Sequence, residues 1–374
     1  MFRKDIAMTL TRRRSLAMLT SALAAPALAQ QRPPRVETVA GRLANPWSLA
    51  FLPDRRMLVT ERGGALRLLG ADGRSLATIA GTPQVWARGQ GGLLDVAPAP
   101  DFASSRVLYL SYAEPREDGA ATSVMRARLS ADSTALGDRQ NIFRQLPASG
   151  GGTHFGSRIV PARDGTLFVT LGERGQKEKS QDLKTHYGKV VRINPDGSVP
   201  RDNPFVGRGD ALPEIWSYGH RNVQGAALHP ATGQLWTVEH GARGGDEVNR
   251  PEAGKNYGWP VITYGRDYSG LKIGEGTAKP GMEQPKHYWD PSIAPSGMTF
   301  YTGDVFPEWK GSMFVGALAG SLVSRLVFEG DRMVREERLL TDTGRRFRDI
   351  RQGPDGAIYC LTDEADGQLL RLAR

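Results

Sequence analysis

His154 stands alone in a glycine-loosened stretch, Gly150-Gly151-Gly152-Thr153-His154-Phe155-Gly156, and Glu173 closes the apolar run "TLFVTLGERG", also between glycines. A histidine on such a loop can serve as a general base near neutral pH, and a carboxylate beside it can orient the ring and stabilise its protonated form. The same pair also fits a loop histidine with an unrelated glutamate, and spacing alone leaves both open. Further on, "SYGHRNVQG" offers Arg221 and Asn222, whose side chains suit a carboxylate or a quinone oxygen, or simply cap a turn. "RRFRDIR" alternates Arg346 and Arg348 as on one face of a strand, and two guanidiniums side by side call for an anion between them. The bland alternative is a basic strand edge that discourages aggregation. "VEHGARGGDEVNRPEAGKNYGWP" gathers acids and glycines as a calcium loop would, without EF-hand spacing, and fits a solvated acidic turn equally well.

These residues need a scaffold, and the chain repeats one. An apolar strand, a turn with Asp, Gly or Pro, and an alternating strand recur at 48–69, 93–113, 157–173, 225–241, 297–318 and 349–364. Period-two alternation is clear in "TLFVTL" and "QLWTVEH". Six unequally spaced copies predict an all-β chain, a six-bladed β-propeller with about four strands per blade. A pair of packed sheets is the competing architecture, but it does not account for six copies. The C-terminal "GQLLRLAR" is expected to pair with "RVETVAGRL" near the N-terminus and close the ring. The two longest insertions, 174–220 and 242–296, are expected to build a site on one face.

Composition narrows the function classes. The 374 residues carry 49 Lys and Arg against 40 Asp and Glu, for a formal charge of +9. Residues 1–29 read as a cleaved export signal: a basic start, an apolar run too short to span a membrane, and "ALA" before Gln30. "TRRRSLA" is twin-arginine-like, with the general secretory route as the alternative, and either predicts a periplasmic protein. Without that segment 44 basic and 39 acidic residues remain, a charge of +5. No basic run with interleaved aromatics suggests nucleic-acid binding, and no membrane insertion is expected. The one cysteine, Cys360, reads as a buried strand thiol, and no CxxCH haem motif occurs.

Taken together and in order, "GQGGLLDVAPAPDF", "HFGSRI", "LGERG", "GHRNVQG", "HGARGGDEVN", "KNYGWP" and "RFRDI" resemble the soluble aldose sugar dehydrogenases that depend on pyrroloquinoline quinone (PQQ), relatives of soluble glucose dehydrogenase. The resemblance runs from about Asn45 to the C-terminus. It implies a six-bladed propeller, PQQ and Ca²⁺ as cofactors, an aldose substrate oxidised to a lactone, and an external electron acceptor. It assigns His154 as the base, with Glu173 where relatives have a supporting aspartate, and Arg221 as a catalytic group at the quinone oxygens. It implies a PQQ-binding set of Gln90, Arg221, Asn222, Tyr268, Ala317, Leu318, Ala319, Arg346, Phe347 and Arg348. Gly241 and Ala242 match carbonyl ligands of the calcium that touches PQQ, and Glu247 and Tyr257 match a second, structural calcium site. Thr153 and Ala319 depart from glucose dehydrogenase, which has an acid and a PQQ-binding lysine at those places. The competing functions are a PQQ enzyme of the same fold for a sorbosone-like or non-sugar substrate, a calcium-stiffened binding module, and a calcium-dependent propeller lactonase.

Overall fold

The computed structural model describes Met1 and residues 34–374; the export signal expected at 1–29 lies outside these residues apart from Met1. Pro34–Arg374 forms one compact unit of six four-stranded antiparallel sheets. Their innermost strands are Pro46–Phe51, Leu93–Pro98, Gly156–Pro161, Val223–Leu228, Pro295–Phe300 and Phe347–Gln352, which define blades one to six. Each inner strand touches the next, and the sixth touches the first, so the sheets close into a ring. The expected six-bladed propeller is what forms. The alternative of two packed sheets fails because the strands of the described residues fall into six separate four-stranded sheets.

Every expected repeat takes in the inner and second strands of one blade, and the first, 48–69, also reaches the third strand, Leu66–Leu69. The second strands (Met57–Glu61, Val107–Arg116, Leu167–Leu171, Leu235–Glu239, Met313–Ala317, Ile358–Thr362) are buried over most of their length and carry the apolar runs. They are sandwiched between neighbouring blades: Leu58, Leu68, Val96 and Leu110 join blades one and two, and Trp236, Val248, Met298 and Val315 join four and five. Each such side chain contributes roughly 1.5–3 kcal/mol when fully buried. Blade six is completed by the other end of the chain: Arg35–Leu43 pairs antiparallel with Gly367–Ala373, from Arg35 opposite Ala373 to Leu43 opposite Gly367. The predicted closure is met. Cys360 lies fully buried on its strand, as expected, and burial pushes its thiol well above the usual range.

One feature is common to all six blades. Each inner strand loses register with its second strand near its N-terminal end, at Pro46/Ser48, Leu93/Val96, Gly156/Ile159, Val223/Gly225, Pro295/Met298 and Phe347/Asp349. A bulge places an extra residue on one strand, bends it and re-aims side chains. The residues so displaced include Trp47, Leu94, Asp95, Arg158, Gln224 and Arg348, which line or floor the cavity described next. Among the described residues, no helix is long and apolar enough to cross a membrane.

Candidate active site

A cavity of about 210 Å³ opens over the centre of the ring. Its wall includes Trp47, Gln90, Phe155, Gln224, His240 and Leu318, with Arg62, Arg346, Arg348 and Asp363 on one side. Its floor is ionic. Arg158, fully buried, meets Asp95 at 3.1 Å and Asp349 at 2.9 Å, and its guanidinium lies 4.3 Å from the Trp47 ring centroid. Ser48 donates to Asp95 at 2.5 Å. Blade five contributes a glycine here, Gly297, because a Cβ would stand 2.1 Å from an Asp349 oxygen.

His154 and Glu173 meet. Nδ1 of the histidine is 2.9 Å from Oε1 of the glutamate, with the histidine side chain slightly exposed and the glutamate buried. A carboxylate only accepts, so Nδ1 carries the proton and Nε2 keeps a free lone pair. The glycines flanking this pair are required by approach. At Gly172 a Cβ would stand 2.0 Å from the His154 carbonyl oxygen, so only glycine lets the two segments come together. His154 has φ of 54°, a left-handed conformation uncommon outside glycine, and the surroundings hold it there. Its N–H donates to Gln90 Oε1 at 2.8 Å. Arg174 donates to the carbonyls of Gly151 and Thr153, and its guanidinium lies over the Phe155 ring. His154 itself sits at the cavity's rim: its neighbours Phe155 and Gly156 and its partner Gln90 form the wall.

Blade four brings the next group against this pair. Glu173 N–H donates to the Arg221 carbonyl at 2.9 Å, and Arg221 N–H donates to Glu239 at 2.7 Å. The Arg221 guanidinium lies 5.3 Å from the Trp259 ring centroid, and its Nε is buried without a partner. Asn222 is fully buried. Its Oδ1 accepts from Gly156 N–H and Gln224, which leaves its Nδ2 donor unpaired. His240 donates from Nε2 to the Pro295 carbonyl at 2.9 Å, so its Nδ1 is the unprotonated nitrogen. Burial, with Arg221, Arg348 and His154 adding to it, pulls the His240 pKa down to about 3, and the ring is neutral.

Arg346 and Arg348 converge as the alternation predicts, and the anion between them is supplied by the chain. Asp363 Oδ2 lies 3.3 Å from Arg346 and 3.0 Å from Arg348. Arg348 also donates to Gln224 Oε1 at 3.0 Å, while its Nε is buried and unpaired. Burial works to raise the Asp363 pKa, but Arg348, Arg346 and Arg62 outweigh it and hold the carboxyl below its ordinary value.

The calcium-loop candidates take a different form from a ring of side-chain carboxylates. Among the described residues no group of three or more His, Cys, Asp or Glu side chains is arranged to hold a metal ion. Asp246 is spent on the loop itself, accepting from the N–H groups of Gly241, Ile293 and Ala294. Gly241 and Ala242 are buried at its turn. Beside them, Asn249 donates to both Glu239 and Glu247, at 3.0 and 2.9 Å, while its own Oδ1 is buried unpaired. Burial and then the charge of Glu239 push the Glu247 pKa up to about 8. Both carboxylates thus converge on the Asn249 amide nitrogen, and among the described residues no side-chain cation pairs with Glu247. Tyr257 stacks on His220 at 4.7 Å, with His220 fixed between Ser217 and Glu239.

Four remaining candidates fall outside the cavity wall. Tyr268 is 71% exposed on the turn that Asp267 closes onto Leu271, so it does not line the cavity. Ala317 and Phe347 turn their side chains into the core between blades, and Ala319 is exposed on the loop after Leu318. Trp47, Arg62, Gln224, His240 and Asp363 were not anticipated. The Asp after "YCLT" was the one available signal for Asp363, being opposite "RFR" in a hairpin.

The chain is similar to known proteins over most of its length. Residues 43–371 match the glucose / sorbosone dehydrogenase family model. The chain is 50% identical over 363 residues to the aldose sugar dehydrogenase YliI of Escherichia coli K12, covering 96% of each chain. A solved structure described as a glucose dehydrogenase superposes with a TM-score of 0.90 at 52% identity, over 91% of this chain and all of that one. The PQQ-bound form of an aldose sugar dehydrogenase from Streptomyces coelicolor superposes with a TM-score of 0.74 at 28% identity, over 91% of this chain and 99% of its own.

Proposed function

The chain belongs to the glucose / sorbosone dehydrogenase family of enzymes, and from that premise we propose that it oxidises aldose sugars at the anomeric carbon, with PQQ and Ca²⁺ as cofactors and an aldonolactone as product. The observation that carries this reading is the His154–Glu173 pair beside a cavity lined by Arg62, Arg346 and Arg348.

The residues fit a polyanionic quinone. Arg62, Arg346 and Arg348 bring three positive charges against the single carboxylate of Asp363, and Arg348 Nε and Asn222 Nδ2 are buried donors without partners. Unpaired buried donors are costly, and a ligand rich in carboxylates and carbonyls would satisfy them. The Trp47 ring offers a flat apolar surface beside them. The pairing of Glu239 with Glu247, and the free oxygen of Asn249, suit a divalent cation.

When bound, PQQ would supply the two-electron acceptor for the sugar's hydride, and calcium a Lewis acid that polarises it. The chain's own work is proton handling and positioning. His154 Nε2 takes the proton of the anomeric hydroxyl, while Glu173 keeps Nδ1 protonated and stabilises the imidazolium that forms. Arg221 and Asn222 present donors where negative charge develops. Arg346 and Arg348 hold carboxylates at the far rim. Electrons then pass to an external acceptor, and the export-signal-like sequence of residues 1–29 favours a periplasmic location.

The test is reconstitution. Metal-free protein mixed with PQQ and Ca²⁺ should acquire a quinone absorbance that an aldose bleaches. A sorbosone-like aldehyde bleaching it in preference to every aldose would shift the substrate class. Absence of any bleaching would reject the dehydrogenase chemistry.

A further inference from the structure

The arginine cluster is already occupied by an anion, and that anion is fixed by the sheet. Asp363 N–H donates to the Arg346 carbonyl at 2.8 Å, continuing the ladder that pairs Phe347 with Thr362. The backbone therefore sets the carboxylate's position, and the two long arginine side chains come to it. One oxygen, Oδ2, accepts from both. The remaining contacts of the guanidiniums are neutral: Arg346 donates to the Leu318 carbonyl at 3.1 Å, and Arg348 to Gln224. Arg62, the third cation of the cavity wall, donates from Nη1 to the Gly89 carbonyl, while its Nε is buried without a partner. The cluster thus holds three cations against one anion.

From this we infer that Asp363 is a positioning residue: a built-in counter-ion that keeps Arg346 and Arg348 aimed into the cavity while no ligand is present, and whose charge opposes the anionic ligand that takes its place. The inference rests on the proposed function for the identity of that ligand, a polycarboxylate. It has two consequences of opposite sign. Without a ligand, the Asp363 charge stabilises the fold, because the buried Arg348 would otherwise face the partly buried Arg62 and the exposed Arg346 with no counter-charge. With a ligand, the same charge weakens binding, because like charges a few ångströms apart repel even at an effective dielectric constant of about 20. Asp363→Asn separates the two, since its amide oxygen still accepts from the arginines while the charge is gone.

The experiment is thermal denaturation and PQQ titration by tryptophan quenching, on wild type, Asp363→Asn and Asp363→Asn/Arg346→Gln, at low and moderate salt. Asp363→Asn should melt several degrees lower without ligand, and added salt should recover part of that loss through screening. It should bind PQQ about fivefold to fiftyfold more tightly, from the same Coulomb estimate. The double variant, with one cation fewer, should regain the melting temperature. A lower melting temperature that neither salt nor the double variant restores would mean a purely structural Asp363. Unchanged or weaker PQQ binding by Asp363→Asn would also overturn the inference. If wild type itself fails to bind PQQ, the cofactor reading falls, and benzene-1,3,5-tricarboxylate replaces it as the probe. The asparagine variant should then bind that trianion better than wild type, and equal binding would overturn the counter-ion role.

Discussion

At the scale of single residues, the site separates chemistry from anchoring. His154→Ala should leave PQQ bound and lower turnover by about 10²–10⁴-fold, the usual contribution of a general base. Turnover near wild type would reduce His154 to a loop residue. The arginines should divide in the same way. Arg348→Ala loses charge-assisted contacts of roughly 1.5–3 kcal/mol and should weaken PQQ binding about tenfold to a hundredfold. Its turnover at saturating PQQ should fall much less. Arg221→Ala should cut turnover even at saturation, because it stands beside the base and not at the far rim. A PQQ titration of both with sugar in excess decides, and indistinguishable profiles would mean that one arginine is misassigned. Asp363 adds a pH signature. Its folded pKa is depressed, so its stabilising effect is present above the ordinary carboxylate range and disappears as pH falls through the folded value. Wild type and Asp363→Asn should converge in stability in acid and diverge toward neutrality, as pH-dependent urea melts would measure. These assignments were uneven in their legibility. His154, Glu173 and the arginine pair lie in short motifs whose spacing carries a meaning. Asp363 stands on the neighbouring hairpin strand, where only its place opposite "RFR" hints at the contact, whereas Gln224 reaches Arg348 from a distant segment and nothing local in "NVQGA" announces it.

At the scale of elements, the inner-strand bulges and the connection between Leu171 and Lys189 do the positioning. Alternation in the sequence locates the strands, but a bulge shifts which residue faces the cavity, and for that reason Trp47 and Gln224 escaped the periodicity. The stretches 174–220 and 242–296 are also only partly insertions, since each contains the two outer strands of its blade, Lys189–Ile193 with Ile215–Tyr218 and Asp246–Asn249 with His287–Trp289. The piece that supports the base is anchored by Lys189. Its buried Nζ donates to the carbonyls of Lys179, Ser180 and Tyr187, drawing residues 179–187 together around one side chain whose pKa burial pulls down to about 7. Lys189→Met keeps much of the bulk and removes the donors. The Lys179 and Ser180 carbonyls keep the Asp182 and Gly219 N–H donors, so the loss falls mainly on the Tyr187 carbonyl, about 1–3 kcal/mol, and should lower stability or release the segment. Hydrogen exchange should show the loss of protection concentrated at 176–188, and turnover should fall with it because Glu173 and Arg174 enter that segment. Uniform protection across the segment would mean that the ammonium is incidental to its order.

At the scale of the whole molecule, a propeller has no single core, and its blades must be held as one unit by something besides pairwise packing. Two devices do this. The first was legible: the strand Arg35–Leu43 joins the last blade, so that the ring is sewn shut by segments far apart in sequence. The second was not, because its members lie in five blades and each looks like an ordinary residue on a strand. Arg158 from blade three holds Asp95 from blade two and Asp349 from blade six, Asp349 accepts from the Leu49 N–H of blade one, and the Gln224 carbonyl of blade four accepts from Arg158. Buried ion pairs often contribute little net stability when both partners are replaced, but removing one partner strands the other charges. Arg158→Met should therefore cost about 3–5 kcal/mol, well above the loss from an exposed pair such as Arg128–Asp138, which is worth about 0–1 kcal/mol. Adding Asp95→Asn and Asp349→Asn to it should return part of that loss, since the stranded carboxylates are then neutral. If the plug couples the blades, urea should still unfold the single variant in one transition at a lower midpoint, with exchange protection lowered in all six inner strands together. Loss of protection confined to Gly156–Pro161 would show instead that each blade stands on its neighbours' packing alone, and that the charges at the centre of the ring merely fill it.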